Sequence, residues 1–252
     1  KDFYWTKTCP ANKVNSIWLT EALKEALIEA ANKGWEKPAR IRFWRSSMKS
    51  IIKKSLENLE IDALVSRRTY SLFEKIKFLE EEVYPKEKGY VNGILAPNFT
   101  STISNEPTPL PEAVRGDSLT ISAITIGELK KAQNWPIEFG DIFPIEDSIN
   151  NDYLIPGLRL FSENRAMALA AWFSSLEPVK LLIDNDRLIL EALEDDKWLV
   201  TDLPKQEADE LLKKFEEARK TSHGYQFISI QSNPFVEKFS GFWILQDIEL
   251  QI

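Results

Sequence analysis

Between residues 92 and 113 the sequence loses every periodicity that could build a helix or a strand, and this break constrains the fold more than any other feature. Asn, Ser and Thr dominate the stretch, and Pro97, Pro107, Pro109 and Pro111 remove backbone donors and forbid a helix. A 252-residue chain interrupted in this way is expected to fold as two parts, residues 1–91 and 114–252. The 92–113 stretch then serves as a Pro-rich linker or an ordered crossing loop.

The two parts differ in charge. The whole chain carries 32 Lys and Arg against 39 Asp and Glu, a net charge of −7. Residues 1–90 hold 18 basic and 13 acidic residues, net +5, and residues 91–252 hold 14 and 26, net −12. A basic half on an acidic chain is compatible with a nucleic-acid partner, whereas a uniformly acidic chain is not. Other classes are excluded more directly. A single Cys rules out an internal disulfide or a cysteine-rich zinc site, and a single His rules out a multi-histidine metal site. No apolar run reaches the ~18 residues of a membrane helix. The chain opens with no signal-peptide pattern, so a reduced compartment is expected. It also opens without Met, inside or just before a strand-like run, so further chain upstream is expected.

Short strand-like runs alternate with amphipathic helices in both parts, which predicts a mixed α/β fold. In the first part residues 2–8 read as a strand. A helix follows from Asn15 or Ser16 to Asn32, with Leu19, Ala22, Leu23, Ala26, Leu27 and Ala30 as its apolar stripe. A strand at 41–44, a helix over 46–59, a strand at 63–67 and a helix over 69–84 complete the part. The first strand is expected to pair with 41–44. In the second part strands are expected at 119–126, 155–161, 179–184, 187–192, 197–202, 225–230 and 241–246, with 127–154 irregular. Helices are expected at 166–176, apolar nearly all round, and at 204–222.

The run from Tyr4 to Ile41 echoes the run from Trp198 to Phe227, each a strand, a proline, an amphipathic helix and a strand. The echo fits two mixed-sheet domains built as duplicated ribonuclease-H-like units, the first lacking its opening strands. β-α-β units also resemble one another without duplication, so both readings stand.

Three groups of residues bear on chemistry. Asp184, Asp186 and Glu191 could hold magnesium for phosphodiester cleavage on such a fold. Asp184 and Asp186 also flank a hairpin turn, where Asp is favoured for backbone reasons, and the turn reading is preferred; neither a metal site nor a cofactor is expected. His223 at a helix end, Cys9 as a buried thiol, and Arg115-Gly116-Asp117 are read as structural. The positive signal is basic and aromatic. Arg40, Arg42, Trp44, Arg45, Lys49, Lys53 and Lys54 fall in one stretch without an acidic residue, and Arg67 and Arg68 follow. Cations that hold phosphates beside a ring that stacks on a base suit single-stranded RNA. A solvated helix face is the alternative. Phe43 alternates to the opposite side from Trp44 and is expected in the core.

Several segments resemble one family in order along nearly the whole chain. They are Cys9-Pro10 with Val14-Asn15-Ser16, Ile41-Arg42-Phe43 with Arg45 and Met48, and Ser66-Arg67-Arg68-Thr69-Tyr70. Ile155-Pro156-Gly157-Leu158, Ala168 to Trp172 and Phe239-Ser240-Gly241-Phe242-Trp243 continue the match in the second part. The chain is similar to the TAB-two-like family of cyanobacteria and chloroplasts. The resemblance implies a non-enzymatic RNA-binding factor for translation of a photosystem I reaction-centre messenger. Its partners would be the single-stranded messenger leader and proteins of translation or photosystem assembly. It would act in the cytoplasm of a cyanobacterium or in the chloroplast stroma. The alternatives are a metal-dependent nuclease on a ribonuclease-H-like fold and an assembly factor that binds only protein.

Overall fold

A computed structural model describes residues 3–90, 106–193 and 196–247. It divides into two compact units, 1–69 and 70–252.

In the first unit, helix α1 (Ser16–Asn32) starts where the Asn15 side chain accepts a hydrogen bond from the Trp18 N–H at 2.9 Å. It ends at Gly34, whose φ of +83° lets Trp35 N–H reach back to the Ala30 carbonyl oxygen. Strand β1 (Arg40–Phe43), helix α2 (Lys49–Glu57) and strand β2 (Asp62–Val65) then form a β-α-β crossover. β1 and β2 pair in parallel, Arg40 opposite Asp62 and Phe43 opposite Val65. Phe43, Leu56 and Ile61 are buried, as is Ala22 of α1. The Ser55 hydroxyl on α2 reaches the Ser16 carbonyl oxygen at 3.0 Å, tying the two helices together. Residues 3–9 are not the expected strand. They lie along α1, with the Lys7 ammonium over the Trp18 ring and the Lys33 ammonium over the Phe3 ring, and β1 pairs with β2 instead. Cys9 is half-exposed rather than buried.

The second unit opens with α3 (Tyr70–Phe78), which loosens into a π turn at Leu79–Val83 before Pro85 stops it. Two sheets follow. The five-stranded sheet has the order β4 (Ser118–Thr125), β6 (Leu154–Phe161), β10 (Tyr225–Gln231), β11 (Phe239–Gln246) and β5 (Ile137–Asp141). The four-stranded sheet has the order β3 (Thr108–Pro109), β9 (Asp196–Asp202), β8 (Arg187–Ala192) and β7 (Pro178–Asp184). Alternation along the central strands feeds two cores. Ile228, Ile230, Trp243 and Leu245 pack with helix α5 (Ala166–Leu176), helix α6 (Lys205–Thr221) and the four-stranded sheet. Tyr225, Phe227, Phe242 and Ile244 pack with Ile126 and Leu129 of the short helix α4 (Ile126–Leu129) and with Ile145 and Ile149. A Cβ at Gly157 would collide with the Phe227 ring, so β6 needs glycine there.

One further expectation is corrected, and one finds no support. Residues 127–154 are not wholly irregular, because β5 pairs in parallel with β11 at the edge of the large sheet. The strand order also gives the ribonuclease-H-like layout no support. The β7-β8-β9 meander and the strand β10 that follows α6 stand in different sheets, and no strand precedes α1 among the described residues. Of the stretch read as a linker, 92–105 lie outside the described residues. In the remainder β3 joins β9, and Leu110 is buried in the core.

Candidate nucleic-acid interface

The parallel pairing decides where the basic residues of the first unit go. In a parallel pair both carboxyl ends point the same way, and loops leaving them form the usual ligand-binding edge of an α/β layer. Here Ser66 N–H bonds to the Phe43 carbonyl oxygen, so the segments 44–46 and 66–68 leave from one edge. Trp44 and Arg45 on one segment and Arg67 on the other thus leave from the same edge, although more than twenty residues separate them in sequence.

Helix α2 adds to the same edge. Its first turn holds no acidic residue, and its N-cap residue, Met48, makes no side-chain cap. A helix start of this kind favours an anion. Lys49 sits in that first turn, and Lys53 lies one turn further along the same flank. Arg45, Lys49 and Lys53 are exposed and make no ion pair among the described residues. Such an edge presents several unneutralised cations to a polyanion.

Not every expected residue joins them. Arg40 stands at the opposite end of β1, facing Asp62 in register. Lys54 is exposed but falls about 100° round the helix from Lys53. Arg68 is buried, 6% exposed, so its guanidinium is withdrawn from the surface. Arg42, Trp44 and Arg67 are half-buried and each has a partner within the protein. Phe43 is buried, as its alternation required. Sequence reading missed the uncapped start of α2; the absence of Asp or Glu from residues 46–52 was the signal for it.

The carboxylates of the second unit do not converge. Asp184 ends β7 and pairs with Arg187 at 3.3 Å. The Asp186 carbonyl oxygen accepts from Leu203 N–H in the turn. Glu191 lies four residues along β8, opposite Lys180, at 4.0 Å from its ammonium. Among the described residues no group of three or more His, Cys, Asp or Glu side chains is placed to hold a metal ion. Arg115-Gly116-Asp117 is a structural corner. The Asp117 carboxylate accepts from Ser162 Oγ at 2.9 Å, Glu163 N–H at 3.0 Å and Arg165 at 2.7 Å. His223 is exposed just past α6, with a φ of 56°. No helix among the described residues is long and apolar enough to cross a membrane.

Comparison with known proteins bears on both units. Residues 1–78 match the N-terminal domain of the RNA-binding protein Tab2/Atab2, and residues 97–246 match its C-terminal domain. A chloroplastic protein TAB2 homolog from Arabidopsis thaliana is 30% identical over 257 residues, covering 96% of this chain and 66% of the relative. Another from Zea mays is 30% identical over 253 residues, covering 97% and 63%. The chain thus spans just under two thirds of the length of these relatives. No solved structure matches it.

Proposed function

The chain belongs to the family of the RNA-binding protein Tab2/Atab2, and from that premise we propose that it is a non-catalytic factor that grips single-stranded RNA at the carboxyl edge of its first unit. The observation that carries this reading is the set of exposed cations Arg45, Lys49 and Lys53, unpaired among the described residues, at the start of α2, on the edge from which the segment holding Arg67 also leaves. These groups bind phosphates irrespective of base, and Trp44 supplies the ring for one stacked base. The RNA is a messenger leader, and the factor supports translation and assembly of photosystem reaction-centre subunits, as the family resemblance implies. Its setting is the chloroplast stroma or the cytoplasm of a cyanobacterium, the former in keeping with its chloroplastic relatives.

The test is a salt titration of the full chain against a short unstructured RNA, read by fluorescence anisotropy. Each phosphate contact to a single strand contributes about 0.7 to the slope of log affinity against log salt. Contacts from Arg45, Lys49, Lys53 and Arg67 therefore give a slope of about 3 in magnitude. Replacing Arg45, Lys49 and Lys53 together by Ala removes about 2 of it and weakens all sequences alike. An unchanged slope moves the interface elsewhere. Cleavage of the RNA on adding magnesium replaces this reading with the nuclease.

A further inference from the structure

The two edges of the five-stranded sheet are built differently. At one edge β5 is five residues long, follows Pro136, and carries Glu138 and Asp141. Short length, proline and charge are the usual ways a sheet edge is kept from pairing with another chain. At the other edge β4 is eight residues long, Ser118–Thr125, with no charge and no proline. Its ladder to β6 fixes which backbone groups face out. Ile126 N–H bonds to the Tyr153 carbonyl oxygen, and the alternation carried from that pair turns the N–H and C=O groups of Leu119, Ile121 and Ala123 away from β6. Pro156 stands opposite Ala123, where β6 has no N–H to offer, in agreement with that phase. Among the described residues none of these outward groups has a partner.

Beside this edge lies a cleft. Helix α6 packs over β6, and beside it lies a space of about 500 Å³ walled by Ile121 of β4 and by Leu154, Pro156, Leu211 and Phe215. Leu154 is 50% exposed and Tyr153, also in its wall, 39% exposed, so apolar surface is left in water there. The mouth is acidic. Asp152 and Glu217 line it and have no ion-pair partner among the described residues, while Lys214 is neutralised by Glu210 at 2.6 Å.

We propose that the β4 edge and this cleft take up an extended segment of another protein, one with alternating apolar side chains and flanking Lys or Arg residues. The segment adds a strand to the sheet through Leu119, Ile121 and Ala123. Its apolar side chains, on every second residue, enter the cleft, and its basic flanks meet Asp152 and Glu217. Charge selects this occupant over two others. RNA is a polyanion and the mouth is acidic. A second copy of β4 has no Lys or Arg between Asp117 and Glu128 to offer Asp152 and Glu217. The surface lies wholly in the second unit and shares no residue with the proposed RNA edge, and its test starts from peptide binding.

The test uses the full chain and a fluorescein-labelled peptide of sequence Lys-Lys-Val-Thr-Ile-Ser-Val-Lys-Lys, with a control in which every Lys is Glu. The basic peptide binds and the acidic one does not. Ala123→Pro removes an outward donor without touching the ladder to β6, and lowers affinity about tenfold or more. Should that variant fold poorly, the double charge reversal Asp152→Lys with Glu217→Lys, at exposed positions, serves alone. It weakens the basic peptide about tenfold and admits the acidic one. Absence of binding up to about 1 mM, or equal affinity for both peptides, overturns the proposal. Self-association that Ala123→Pro abolishes gives the edge to a second copy and also overturns it. RNA that still displaces the peptide when Arg45, Lys49 and Lys53 are Ala puts RNA in the cleft, with the same consequence.

Discussion

Gln226 offers the sharpest measure of how the two sheets of the second unit are joined. Its side chain is fully buried on β10 and reaches Leu181 of β7 in the other sheet. The amide oxygen accepts from Leu181 N–H at 2.7 Å, and the amide nitrogen donates to the Leu181 carbonyl oxygen at 2.9 Å. β7 is an edge strand, so without Gln226 both backbone groups of Leu181 would be buried and unpaired. Gln226→Met keeps the length and most of the volume but removes both bonds. Each orphaned group then contributes about 1–3 kcal/mol of lost stability, or about 2–6 kcal/mol together. For a unit of this size 1 kcal/mol corresponds to about 2–4 °C, so the midpoint of thermal unfolding falls by about 8–16 °C for a mid-range loss near 4 kcal/mol. Gln226→Glu can keep only one bond and falls between wild type and Met. Calorimetry gives the midpoints, and amide hydrogen exchange at Leu181 reports the local effect, since that amide loses protection first. A fall of less than about 2 °C with Leu181 protection unchanged refutes the bridging role.

Two further outcomes concern protonation. Hydrogen bonds from Arg165, then Ser162 and the Glu163 backbone, hold the Asp117 carboxyl below the usual carboxylate range. A depressed acid stabilises above its unfolded pKa of about 3.9 and loses that contribution as pH falls through its lower folded value. Asp117→Asn is therefore less stable than wild type at neutral pH, and the gap in urea midpoint closes as the solution is acidified below that range. Burial first, then the Glu146 and Glu74 carboxylates, push the Tyr225 phenol up to about 12. A raised acid stabilises fully below its unfolded pKa, near 10, and loses that contribution as pH rises from there to the folded value. Ultraviolet titration of folded protein shows one tyrosine ionising late, and Tyr225→Phe removes that late component.

What could be read from the sequence was what depends on neighbours along the chain. Helix α1 announced itself by Asn15 as cap, a stripe at helical spacing and Gly34 as stop, and the structure has each. The β7-β8 hairpin followed from Asn185-Asp186, and Asn185 does adopt positive φ there. Residues 3–9 misled because Phe3, Tyr4 and Trp5 suit a strand locally. Instead Phe3 meets the Lys33 ammonium at the end of α1 and Lys7 meets the Trp18 ring, contacts that no periodicity encodes. β5 was hidden because Pro136 and Gly140 punctuate it. Yet a Cβ at residue 140 would collide with the Phe242 carbonyl oxygen, so the glycine that weakened the strand signal is what lets β5 approach β11. The candidate interface was legible as a list of cations and not as a place. Strand pairing in the β1-α2-β2 crossover puts Arg45 and Arg67 on segments that leave one edge, and burial removes Arg68.

The charge division is sharper on the structural units than on the sequence halves. Residues 1–69 carry 14 basic and 8 acidic residues, net +6, and residues 70–252 carry 18 and 31, net −13. Net charge alone would class the protein as a poor partner for RNA. But at physiological ionic strength charges further apart than about 8 Å are largely screened, so a phosphate feels the groups it touches rather than the sum over the chain. Close contact with Arg45, Lys49 and Lys53 is therefore compatible with an acidic whole. The same screening makes the acidic unit selective without making it silent. It repels a polyanion at the long range that governs encounter in dilute salt, and it attracts basic segments that come near. The two proposed surfaces, of opposite sign on one chain, would thus separate their partners by charge before shape or hydrogen bonding acts.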